Sequence, residues 1–92
     1  MSRNRYQETI KELLPILYDI AVEANPDHAT FDQLAEEVIE LHLALRGKYD
    51  KDAPELELLE IATIAINMLA KCELWSVLSC TDDWYKRHGG KA

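Results

Sequence analysis

Between Leu56 and Leu69 the chain reads LELLEIATIAINML, and no face of a helix drawn through these residues escapes an apolar side chain. At about 100° per residue, Leu56, Leu58, Leu59, Ile61, Ala62, Ile64, Ala65, Ile66, Met68 and Leu69 together cover every direction around the axis. Such a helix has to be central or lie at a subunit interface. It sits in a chain of only 92 residues, which is one domain with limited capacity to bury a core of its own. The expected fold is therefore all-α: a small antiparallel helical bundle, completed by oligomerisation as a homodimer or homotetramer.

Composition agrees with a helical reading. The chain is 48% hydrophobic with only three Gly and three Pro, a mixture that favours helices over strands or disorder. Apolar residues at Ile10, Leu13, Leu14, Leu17, Ile20, Ala21 and Ala24 follow the three-and-four spacing of an amphipathic first helix. Asn4 with Gln7 is placed to open it, Pro15 to kink or restart it, and Asn25-Pro26 to stop it. Thr30 and Gln33 form a capping box and Gly47 a left-handed stop, which sets a second helix at about 31–46 with a core stripe of Phe31, Leu34, Val38, Leu41 and Leu45. After the polar connection GKYDKDA, Asp52 with Glu55 is placed to cap a third helix running from about 54 to 78 or 80, with Pro54 in its first turn. Thr81, Asp82 and Asp83 then begin a short terminal helix or turn around Trp84 and Tyr85, closed by Gly89 and Gly90.

Ten Lys and Arg face seventeen Asp and Glu, a net charge of −7, which argues against nucleic acid as a partner. The imbalance is local: residues 1–70 carry six basic and fourteen acidic side chains, residues 71–92 four and three. Cys72 and Cys80, eight apart on what reads as one helix, would lie about 12 Å from each other and are expected to be free, buried thiols. MSRNRYQETI lacks the apolar core of a signal peptide and IATIAINMLA is too short to cross a bilayer, so the expected setting is cytoplasmic, without membrane.

The acidic residues are not spread evenly. AEEVIE puts Glu36, Glu37 and Glu40 within five positions, and after a gap of sixteen residues come Glu57 and Glu60. On the third helix Glu57, Glu60, Asn67 and Lys71 share one sector about 80° wide, a polar stripe on an otherwise greasy element. Carboxylates in an apolar setting normally take up protons unless a cation compensates. Residues three apart on a helix reach the same point, so antiparallel packing would let Glu37 and Glu40 face Glu57 and Glu60 in an oxygen-rich nest suited to magnesium. Further along the stripe, Asn67 is placed to bond a sugar or base and Lys71 to meet a phosphate; the plainer alternative is that both line the polar end of the bundle. Trp75 and Trp84 read more simply as core or interface than as a base-stacking pair, and His28, His42 and His88 lack zinc spacing.

Taken together, LAEEVIELHLALRG and ELLEIATIAINML resemble the two core helices of the all-α nucleoside triphosphate pyrophosphohydrolases of the MazG and dimeric dUTPase group, whose signature is EExxE, a variable spacer and ExxD. The resemblance covers about residues 31–70. It implies cleavage of a (d)NTP between its α and β phosphates, with magnesium, or manganese in its place, held by Glu37, Glu40, Glu57 and Glu60. It further implies Glu36 and Glu37 as the catalytic carboxylates, Glu36 orienting water from outside the ligand shell. Glu60 departs from the family pattern, standing where the signature has aspartate. The alternative from another class is a noncatalytic acidic helical module that binds a protein partner.

Overall fold

The computed structural model describes residues 3–47 and 53–89, and all regular structure among them is helical. Helix α1 spans Arg3–Glu23, a single 3-10 turn spans Pro26–His28, and α2, α3 and α4 span Phe31–Leu45, Pro54–Ala70 and Leu74–Arg87. No single one of these helices is long and apolar enough to cross a membrane.

Local chemistry explains most of the boundaries. Helix α1 passes through Pro15 as one element, so the expected restart does not occur, and Asn4 lies inside the helix rather than opening it. Pro15 removes one backbone donor, and the turns on both sides carry the helix across the gap. The Asn25 side chain accepts from the Asp27 backbone N–H at 3.0 Å, which folds the chain into the 3-10 turn after α1. Thr30 Oγ1 accepts from the Gln33 N–H at 3.2 Å and starts α2. Only half of the capping box forms, because the Gln33 amide donates instead to Glu37 Oε1 at 3.3 Å. Gly47 closes α2 with φ +70°, donating to Ala44 O at 3.1 Å. Pro54 occupies the first turn of α3 as expected. The capping residue there is Ala53, which offers no side-chain bond, and Asp52 lies outside the described residues, as does Gly90.

The long third helix expected from the sequence is two helices. The chain breaks over Lys71–Glu73 and resumes as α4 at an angle of 118° to α3. No Gly or Pro marks the break. Instead Lys71 Nζ donates to Ala29 O at 3.0 Å, tying the end of α3 to the 3-10 turn. Glu73 is extended at φ −73°, ψ 136°, its carbonyl accepts from Ser76 and Val77, and its carboxylate accepts from the Trp75 indole. Thr81 consequently sits inside α4 rather than starting a helix, and Cys72 and Cys80 do not share one. Both thiols are free as expected, yet exposed rather than buried.

Helix α3 is central: it packs chiefly on α2, next on α1, and at its end on the 3-10 turn. Asn67 Nδ2 donates to Ala21 O and to Thr63 O, both at 3.2 Å, and so pins α3 to α1. The buried residues are few and small, namely Ala21, Ala29, Thr63 and Ile64, with Glu37 and Glu57 among them. Much of the expected core stripe of α2 faces outward, Phe31, Val38 and Leu45 being exposed while Leu34 and Leu41 are half-buried. The face of α2 turned to α3 is instead the one carrying Gln33 and Glu37. Helix α4 packs substantially on none of the others and buries no residue. The chain is accordingly open, with a radius of gyration of 15.3 Å against about 12 Å for a compact chain of this length.

Candidate metal centre

Three helical turns converge on one point between α2 and α3. Glu37 and Glu40 lie one turn apart on α2, and Glu57 projects from the first turns of α3. Single oxygens of these three carboxylates all lie within 4.8 Å of one another. Glu37 is 9% exposed and Glu57 3%, while Glu40 is half-buried. Among the described residues Glu57 is the least accessible, more so than Ala29 or Ile64.

The electrostatics of the group follow from that burial. The Glu37 carboxyl is pushed up from 4.5 to about 7, first by loss of water around it, then by a hydrogen bond with Glu57, then by the negative charges of Glu40, Glu57 and Glu60. Burial and the neighbouring negative charges thus favour the protonated form of Glu37, a cost that a bound cation would relieve. The donor set is all oxygen, which suits a hard divalent ion. On octahedral magnesium opposite oxygens are about 4.2 Å apart and adjacent ones about 3 Å, so the trio would draw together to share one ion. Among the described residues the trio therefore forms a buried acidic cluster able to bind metal.

One prediction arises here. In a chelator, Glu37 takes its proton at about pH 4.5 in the unfolded chain and keeps it up to about pH 7 in the folded one. Across that window the native state binds more protons, so stability falls as pH rises and the loss is complete above about pH 7. Melts between pH 4.5 and 8 should show a falling melting temperature that Glu37→Gln flattens. Parallel slopes for the two proteins would mean that Glu37 titrates as an ordinary carboxyl.

The remaining residues singled out from the sequence fall at different distances from this centre. Glu60 is exposed and lies outside the trio, although its charge acts on Glu37. It stands between two clefts. One, of about 320 Å³, runs between α1 and α3 beside Ile20, Glu23 and Leu56. The other, of about 290 Å³, is more polar and is lined by Asn25, His28, Gln33, Thr63 and Asn67. Glu36 is exposed on the outer side of α2. Lys71 lies eleven residues beyond Glu60, about 16 Å along the axis, where its bond to Ala29 makes it a structural tie. Trp75 and Trp84 are exposed and not core; Trp84 stacks on His88 at 4.2 Å and meets Tyr85 edge-on.

Gln33 is the participant that sequence reading misassigned. Its amide bonds Glu37 one turn away and orients that carboxyl, whereas the capping pattern gave it to Thr30. The four-residue spacing from Gln33 to Glu37 was the available signal. Asn25 and His28 carry no motif and join the polar cleft only because the 3-10 turn packs on α3. Comparison of the chain with protein-family models, with curated proteins and with solved structures gives no match.

Proposed function

We propose that this protein is a magnesium-dependent nucleoside triphosphate pyrophosphohydrolase of the MazG-like kind, converting a (d)NTP to a (d)NMP and pyrophosphate as a homo-oligomer. The observation that carries this reading is the convergence of Glu37, Glu40 and Glu57 on one buried point, since those are three of the four carboxylates of the EExxE and ExxE motifs that the resemblance makes ligands. Glu60, the fourth, is near enough to act on Glu37 and lines both adjoining clefts. Magnesium, or manganese, held by these carboxylates would neutralise the phosphates and lower the pKa of a bound water. The chain's own part is to hold the ligands and align the substrate. Gln33 fixes the rotamer of Glu37, and Glu36, on the solvent side, orients the attacking water. In Asn67 the amide nitrogen is committed to backbone carbonyls, so Oδ1 is the atom left to accept from a sugar or base in the polar cleft.

The noncatalytic acidic module is the competing reading, favoured by the position of Glu60 outside the trio. Incubation with a panel of (d)NTPs and magnesium, with chromatography of the products, decides between them. Monophosphate and pyrophosphate from at least one substrate support the enzyme. No product from any substrate, at any magnesium or manganese concentration, leaves the module.

A further inference from the structure

The polar cleft beside the acidic trio has a hydrogen-bonding character of its own. It holds about 290 Å³ between α3, the 3-10 turn with its cap Asn25, and the first turn of α2. One wall is formed by Glu60, Thr63 and Asn67, which lie on one side of α3 and span about 10 Å of its axis. Gln33 joins the cleft to the trio, since it also bonds Glu37.

The bonds these groups already make fix what each can still offer. The Thr63 hydroxyl gives its hydrogen to Leu59 O at 2.8 Å, so only its lone pairs remain. The Asn67 amide gives its hydrogens to Ala21 O and Thr63 O, both at 3.2 Å, so Oδ1 remains. A carboxylate such as Glu60 only accepts. The α3 wall is therefore a strip of three acceptors with no hydrogen to give. On the wall formed by the 3-10 turn the pattern reverses. Asn25 Oδ1 accepts from the Asp27 backbone N–H at 3.0 Å, which leaves Nδ2, a donor. His28, on the same turn, brings one donor and one acceptor when neutral.

Nucleobases divide on such a site. The amino group of cytosine or adenine donates two hydrogens, and the ring nitrogen beside it accepts. Uracil and thymine carry a carbonyl in that place, and their single ring N–H lies between two carbonyls, so an approach to the α3 wall sets lone pair against lone pair. Ribose hydroxyls both donate and accept and do not discriminate. Thr63 and Asn67 stand one turn apart, about 5–6 Å between their β carbons, a separation that the two hydrogens of one amino group span. We propose that this cleft selects nucleotides whose base carries an exocyclic amino group, the amino hydrogens meeting Thr63 and Asn67 and the neighbouring ring nitrogen meeting Asn25. The inference rests on the nucleotide reading of the site given above.

Equilibrium titration of the intact chain with nucleoside monophosphates tests it, because these bind without turnover. Cytidine and uridine monophosphate differ in this place by amino against carbonyl, as do adenosine and inosine monophosphate. The amino member of each pair is expected to bind on the order of 10-fold more tightly, and Thr63→Val, which keeps the shape and removes the lone pairs, should cut that preference to about threefold. Asn25→Asp is the second variant, should Thr63→Val not fold. It keeps the oxygen that caps the 3-10 turn and replaces the donor with an acceptor, so the preference should shrink or reverse. Equal affinity within either pair, tighter binding of the carbonyl member, no binding of any of the four, or a preference that neither variant moves would overturn the proposal. The two readings fail separately. Hydrolysis of triphosphates without an amino preference in binding ends the cleft proposal and leaves the enzyme; the preference in a chain that hydrolyses no triphosphate ends the enzyme and leaves a nucleotide-binding cleft.

Discussion

Saturating magnesium is expected to raise the melting temperature of the protein by on the order of 10 °C, and Glu57→Gln to lose the rise. The size follows from mass action. An ion present at a hundred times its dissociation constant stabilises the native state by about 2.7 kcal/mol, and each kcal/mol is worth roughly 4–8 °C in a domain of this length. Glu57 is the ligand to remove because it is the most secluded of the trio and hydrogen-bonds with Glu37 across the α2–α3 interface. Without metal the same substitution should leave the protein as stable as wild type or more so, since one of the charges that raise Glu37 is gone. The pair of results separates a lost ligand from a damaged fold. Differential scanning calorimetry with magnesium and with chelator measures both, and an undiminished magnesium response in the variant would remove Glu57 from the ligand set.

Glu37→Gln should abolish pyrophosphate release, by a factor of about 10³ or more, and the magnesium-linked melting shift together. Glu36→Gln should do only one of the two. Glu36 lies outside the buried trio, so its loss is expected to lower kcat by about 10²-fold, the scale of a misplaced acid-base or water-orienting group, while the metal response stays. That split distinguishes an orienting carboxylate from a ligand. If Glu36→Gln turned over substrate at the wild-type rate, the exposed position of Glu36 would mark it as a solvated face residue.

How much of this was written in the sequence depends on whether the cause is local. Thr30, Gly47 and Pro54 act within a turn of themselves, and the ends of α2 and the start of α3 fall where they indicate. The meeting of Glu37, Glu40 and Glu57 likewise follows from helical pitch once α2 packs on α3, and three of the four carboxylates expected to converge do so. The end of α3 was not legible. Nothing in AKCE forbids a helix; the break comes from Lys71 reaching Ala29, forty-two residues away in the chain, and from the bonds that gather at Glu73. Exposure failed for a related reason. Periodicity shows which residues of α2 and α4 share a face but not whether a neighbour covers it, so Phe31, Val38 and Cys80 read as interior and are exposed. Glu60 shares its sector with Glu57, yet only packing could show that α2 covers one and leaves the other at the mouth of two clefts.

The seclusion of Glu57 has a consequence for the stability of the fold. Where most small helical proteins seat a leucine, this one seats an ionisable acid, and an aliphatic replacement such as Glu57→Met would be expected to toughen the fold by a kcal/mol or more while ending its response to cations. An acid at the least exposed of the described positions is therefore what the proposed ion, and not stability, would require there.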